Sequence, residues 1–273
     1  MRTANIACAR STAIKRAGRG AGLFCIGALL LLASAPVAAT PAPAPTADPS
    51  FPFSNEIEAF AKANNAGAPM RDAALFIGSS SIRMWDIATS FADISTVNRG
   101  FGGATTPDVL HYYPRLLPPA PPRAVVVYVG DNDLAAGGTP DSVTRNLLSL
   151  LKRLRADYPR APIAFLSLKP SPIRWTLYPK MAQVNAAIAA RARAERFDYI
   201  DVGSALIAAD GLPDASLFRP DGLHMNARGY QRWTTIVDSW LDRVARPVAV
   251  TEKPLDHFPI DPQPSNIITS RYR

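Results

Sequence analysis

The sequence predicts a single-domain α/β protein, a three-layer α/β/α sandwich around a five-stranded parallel sheet in the flavodoxin-like order 2-1-3-4-5. Three observations carry that expectation. From Ala73 to Val244, short apolar runs of strand length alternate with longer segments of helical spacing, the pattern of parallel strands linked by covering helices. The chain has 273 residues, 48% of them hydrophobic, enough for one substantial core. Right-handed crossovers then place the first strand beside the point where the strand order reverses.

Taken in order, residues 1–39 read as a secretory signal peptide. Arg2, Arg10, Lys15, Arg16 and Arg19 precede an apolar run from Ala21 to Ala33, small residues Val37-Ala38-Ala39 follow, and the segment holds no acid. An uncleaved membrane anchor is the alternative, although the run falls short of the roughly 20 residues a spanning helix prefers. Without these residues five basic charges leave the formal +8, and the remaining +3 calls for no nucleic-acid partner. Cys8 and Cys25 both lie in this segment, so the rest of the chain can form no disulfide or thiolate site. The expected location is therefore the periplasm or the extracellular space, with no stable membrane span after cleavage, and the oligomeric state is left open.

Residues 40–54 read as a Pro/Ala-rich linker, 55–246 as the folded domain and 247–273 as a Pro-rich tail. Within the domain, Asn55–Asn64 has helical spacing. The expected strands are Ala73–Ile77, Ser95–Val97, Ala124–Val129, Ile163–Leu168 and Tyr199–Val202. Between and after them, helices are expected over Ile82–Thr89, Pro107–Leu116, Asp141–Ala156, Tyr178–Arg196 and Arg228–Val244.

Four loops at strand ends hold residues suited to acyl transfer. The first strand breaks into Gly78-Ser79-Ser80-Ser81, placing a hydroxyl at the carboxyl edge of the sheet, where open α/β folds bind ligands. Any of the three serines could be the nucleophile on position alone, and a simple turn would look the same. A serine nucleophile needs a base and a group to orient it. Of His111, His224 and His257, His111 sits mid-helix and His257 in the tail, whereas His224 follows Asp221 around a glycine-permitted turn after strand five. That spacing lets a carboxylate meet one imidazole nitrogen while the other faces a hydroxyl. The glycine-rich Asn98–Thr106 loop can bring backbone N–H groups to a ligand, and Asn132 in Gly130-Asp131-Asn132-Asp133 can supply a side-chain donor. The same glycines would also suit tight helix–strand packing, and the asparagine could simply cap its own turn.

At these residues the chain resembles the SGNH hydrolases, the GDSL-like esterase/lipase superfamily, including its platelet-activating-factor acetylhydrolase-like branch. The resemblance covers Ala73 to Val244. Gly78-Ser79-Ser80-Ser81 matches the family's Gly-Asp-Ser-Leu block, Gly103 its second-block glycine, Gly130-Asp131-Asn132-Asp133 its Gly-x-Asn-Asp block, and Asp221 with His224 its Asp-x-x-His block. By that resemblance Ser80 is the nucleophile, His224 the base, Asp221 its orienting carboxylate, and Gly103 and Asn132 oxyanion donors, with neither cofactor nor metal. Two departures stand out: Ser79 and Ala104 occupy places where the family usually or commonly has Asp.

The resemblance implies a serine esterase that acts on a small-molecule or polysaccharide ester, the basic-then-apolar N-terminus implies that it is exported, and the lack of a long apolar lid candidate favours short acyl groups, chiefly acetyl. Lys169, Arg174 and Trp175, in the loop after strand four, could line the leaving-group side, or the loop could simply be solvated with one packing aromatic. The rival expectation is a catalytically weak or inactive protein of the same fold that binds an acylated sugar or lipid.

Overall fold

A computed structural model describes residues 52–66 and 72–245. The segments read as signal peptide and tail lie outside the described residues, as does all but the end of the linker. Five parallel strands, β1 (Ala74–Gly78), β2 (Thr96–Gly100), β3 (Ala124–Tyr128), β4 (Ile163–Leu166) and β5 (Asp198–Ile200), form one sheet in the order β2-β1-β3-β4-β5. This is the predicted topology.

The pleat divides each strand between two cores. Leu75, Ile77, Val125, Val127, Ile163 and Phe165 point to one face, which is covered by α1 (Ser54–Asn65), α4 (Thr106–Leu116), α6 (Pro140–Asp157) and α7 (Tyr178–Glu195). Their neighbours Ala74, Phe76, Val126, Tyr128, Ala164 and Leu166 point to the other. There α2 (Ser80–Arg83), α3 (Ile87–Ser90) and α8 (Ala227–Val244) close the layer. Trp85, Phe91, Tyr230 and Trp233 pack around Phe76 and Tyr128 with ring centroids 4.9 to 6.4 Å apart. The β1–β2 connection crosses on the second face and the β2–β3 connection on the first, so the switch point lies at the carboxyl end of β1.

Helix starts follow local chemistry. Thr105 and Asp108 form a capping box at α4, Thr139 and Ser142 another at α6, and each helix has Pro in its first turn. The differences from expectation are also local. The segment expected to be one helix over Ile82–Thr89 is two, because the Asp86 side chain accepts from the Thr89 amide and starts a new helix. Strand β4 stops two residues short of the expected Leu168, whose N–H and carbonyl are both taken by the Asn185 side chain at 2.8 and 3.0 Å. A short helix, α5 (Asp131–Ala135), occupies what reads as a plain loop. The first helix begins at Ser54, inside the stretch read as linker, and Phe53 packs edge-on against Phe101 at 5.1 Å.

Candidate active site

The carboxyl end of β1 is built around Gly78. Its φ is +151°, and a Cβ there would lie 1.9 Å from the Tyr128 carbonyl oxygen, so the close approach of β1 to β3 admits no side chain. Ser79 continues the contact by donating its N–H to Tyr128 O at 3.0 Å. Ser80 then opens α2, where its own N–H has no intrahelical acceptor. The short helix is held from two sides: Tyr230 Oη donates to Ser81 O at 3.0 Å and Asn98 Nδ2 to Ile82 O at 2.9 Å. Ser79 Oγ is buried without a hydrogen-bond partner.

The candidate base, His224, comes from the loop between β5 and α8. Phe218 and Met225 pair as an isolated antiparallel bridge, Arg219 donates its N–H to His224 O at 2.7 Å, and Gly222, at φ +63°, turns the chain between them. Asp221 Oδ1 accepts from the amides of Leu223 and His224, each at 2.9 Å, and Oδ2 from His224 Nδ1 at 2.7 Å. The bond from the His224 ring, with those from the two amides, holds the Asp221 carboxyl well below the usual carboxylate range. With Nδ1–H donating to Asp221, Nε2 presents its lone pair to Ser80 Oγ, 3.0 Å away. Ser80, His224 and Asp221, 144 residues apart at the extremes of the first pairing, thus form one hydrogen-bonded line.

The oxyanion candidates lie on two segments that are bonded together, the Gly103 loop and α5. Gly103 is exposed, adopts φ +74°, and has open space where a Cβ would stand. Asn132 Nδ2 donates to Ala104 O at 2.9 Å, and its second N–H is left to donate elsewhere. Asp133 locks the same loops: both its carboxylate oxygens accept from the Thr106 amide, at 3.0 and 2.9 Å, where α4 begins. Burial pushes the Asp133 carboxyl up. Asp133 has no role in the sequence reading, and its place in the Gly-x-Asn-Asp-like block was the available signal.

Of the three residues expected on the leaving-group side, Lys169 requires correction. Its side chain is 1% exposed and its ammonium donates to Leu223 O at 3.0 Å, so it points into the protein and not to solvent. Arg174 is partly buried and its guanidinium donates to Asp131 Oδ2 at 2.9 Å. Trp175 lies half-buried and stacked on Tyr178, with centroids 4.7 Å apart. Of the other histidines, His111 packs edge-on against Tyr112 within α4, and His257 lies outside the described residues. Among the described residues no group of three His, Cys, Asp or Glu is placed to hold a metal ion, and no helix is long and apolar enough to cross a membrane.

The model of the GDSL-like lipase/acylhydrolase family matches residues 83–232, more than half of the chain. The chain belongs to that family. The match begins three residues after Ser80, so the candidate nucleophile rests on its position against His224 and not on the family match. Solved structures share the fold. A candidate platelet activating factor from Streptococcus pneumonia is 22% identical over 69% of this chain and 92% of its own, with a TM-score of 0.63. A candidate acylhydrolase from Bacteroides fragilis is 20% identical over 69% and 97%, with a TM-score of 0.59. A GDSL-like lipase from Bacteroides thetaiotaomicron is 20% identical over 70% and 98%, with a TM-score of 0.58. No functionally curated protein matches the chain.

Proposed function

We propose that the protein is an exported serine esterase that removes short acyl groups, chiefly acetyl, from carbohydrate or lipid of the cell envelope or its surroundings. One observation carries the reaction class: Ser80 Oγ lies 3.0 Å from His224 Nε2 while Nδ1 of the same ring is held by Asp221 at 2.7 Å. In that geometry His224 takes the Ser80 proton as Oγ attacks the ester carbonyl. The resulting oxyanion is met by the Ser80 and Gly103 N–H groups and the Asn132 amide. Protonated His224 then gives its proton to the departing alcohol and leaves an acyl-enzyme. Water, deprotonated by the same imidazole, releases the acid.

The substrate proposal rests on the openness of the site. Asp221 and His224 side chains are 47% and 22% exposed, and the sequence offers no long apolar lid candidate near them. Export rests on the basic-then-apolar order of residues 1–39. The test is a panel of acetylated polysaccharides, peptidoglycan fragments and acyl esters of increasing chain length, with purified Ser80→Ala as the blank. Turnover should be highest for acetyl and propionyl esters and absent in the variant. Turnover by Ser80→Ala equal to that of the wild type would overturn the mechanism. A pure binding protein would fail to react with a serine-directed fluorophosphonate, whereas the esterase should be labelled at Ser80.

A further inference from the structure

The base loop is held by a residue that no step of the mechanism uses. Lys169 follows β4 and is the one lysine among the large, fully buried side chains of the described residues. Lysine is almost never buried to that extent unless paired. Its pairing here is unusual. The nearest carboxylate oxygen, Asp131 Oδ2, is 4.0 Å away and already accepts from Arg174 at 2.9 Å. The ammonium donates instead to a backbone carbonyl, Leu223 O at 3.0 Å, with the Phe218 ring centroid at 5.9 Å. Burial pushes the Lys169 ammonium down, so its charge is maintained at a cost.

The carbonyl it chooses is the informative part. Leu223 O belongs to the peptide group whose N–H is that of His224, and that N–H donates to Asp221 Oδ1 at 2.9 Å. Asp221 Oδ2 in turn accepts from His224 Nδ1, and Nε2 meets Ser80 Oγ. A continuous line of hydrogen bonds therefore runs from a buried cation, through one peptide group, to the carboxylate that orients the base. Withdrawing electron density at a peptide oxygen makes its N–H a stronger donor, and such chains strengthen one another where water is excluded. The same stretch grips the preceding carbonyl as well: Ile173 N donates to Gly222 O at 3.1 Å. Two successive carbonyls of the turn are thus held from the segment after β4.

We propose that Lys169 is the positioning residue of the base loop: its ammonium fixes and polarises the Leu223–His224 peptide group, which in turn holds Asp221 and aligns His224 on Ser80. This inference rests on the esterase proposal for its rate consequence and on the loop geometry alone for its structural one. Arg174 and Asp131 complete the arrangement by tying the same segment to α5, which carries Asn132, so base and oxyanion donor share one support.

The experiment compares full-length wild type, Lys169→Met, which keeps the length and apolar stem, and Lys169→Gln, which keeps an N–H donor without charge. Two quantities are read: kcat and KM on a short-chain activated ester, and hydrogen exchange at the amides of Leu223 and His224 against those of β1 and β3. For Lys169→Met, kcat should fall about ten- to a hundredfold with KM changed less than about twofold, the size expected for misalignment without loss of binding. Exchange at Leu223 and His224 should quicken at least about tenfold while the strands keep wild-type rates. Lys169→Gln should fall between wild type and Lys169→Met in both quantities, and it decides the matter alone if Lys169→Met does not fold. Unchanged kcat and loop exchange, or exchange that quickens equally in loop and strands, would overturn the proposal and leave Lys169 as a filler of the core. If wild type turns over no ester, the esterase proposal fails, and the exchange measurement still decides the role of Lys169.

Discussion

The proposed nucleophile and the proposed base are held in place by different physics. Ser80 stands on a turn whose backbone is sealed between β1, β3 and α8: Gly78, Ser79 and Ser81 are buried, and the geometry is enforced by van der Waals exclusion and the central sheet. His224 stands on a turn with a half-exposed Asp221 and no strand or helix of its own. There the conformation is written in hydrogen bonds, from Arg219 N to His224 O, Ile173 N to Gly222 O and Lys169 Nζ to Leu223 O. Substitutions in the buried backbone that supports Ser80 should act on folding, and substitutions at the second turn on rate.

The sharpest test of that division is His224→Ala. Removing the base should reduce kcat by about five to six orders of magnitude, as loss of one member of such a triad does when its partners are useless without it. The melting temperature should stay within about 2 °C of wild type, because the ring is partly exposed and contributes little to the core. Steady-state kinetics beside calorimetry check both halves. A drop of more than about 5 °C would show that the base loop is a structural element after all. Gly78→Ala should behave in the opposite way. A Cβ placed 1.9 Å from the Tyr128 carbonyl oxygen forces two central strands apart, and a loss of more than about 4 kcal/mol is expected, seen as a melting temperature lower by about 10 °C or as failure to fold.

The same division explains what the sequence disclosed. The five strands and their order were legible because central parallel strands are apolar on both faces, as AVVVY in β3 shows, and crossover handedness leaves few orders to choose from. The strand-end loops were legible because Gly, Ser, Asn, Asp and His concentrate there. Lys169 was not legible. In the string Lys169-Pro170-Ser171-Pro172 it reads as part of a solvated loop, and its burial comes from Asp131, Phe218 and Leu223, which lie 38 to 54 residues away in the chain. Nor was α5 legible: five residues after a Gly at φ +123° carry no helical period. Local pattern discloses what local pattern determines, and the base loop is determined by distant partners.

Between the two turns stands the oxyanion side, where folding and rate should separate cleanly within one short helix. Asn132→Ala removes the side-chain donor and its bond to Ala104 O. It should lower kcat about a hundred- to a thousandfold at nearly constant KM, since the amide acts on charge that develops only in the transition state. Asp133→Ala, by contrast, unpins the start of α4 by freeing the Thr106 N–H. It should cost about 1 to 3 kcal/mol of stability, with a smaller change in kcat than Asn132→Ala gives. Kinetic constants and denaturant midpoints for the pair check the contrast, and equal loss of rate in both would merge the two roles.

The smallest expected effect concerns the pH dependence of stability at the base loop. Asp221 has its carboxyl held well below the ordinary range by the bond from His224 and by two amides, whereas the unfolded chain returns it to about 3.9. For an acid whose folded pKa is depressed, the stabilisation is complete above the unfolded value and is lost as the pH falls through the folded one, because only then does the folded state take up the proton. The Asp221 side chain is 47% exposed, so solvent and salt screen the interaction strongly. Wild type should therefore melt no more than about 1 to 2 °C above Asp221→Asn at pH 7. That gap should hold down to about pH 4 and close below it. A gap that widens on acidification would mean that the carboxyl is held above its ordinary range, contrary to the bonds that surround it. A gap of many degrees at neutral pH would mean that the exposed turn is stabilised like the buried one, and the contrast between the two halves of the site would disappear.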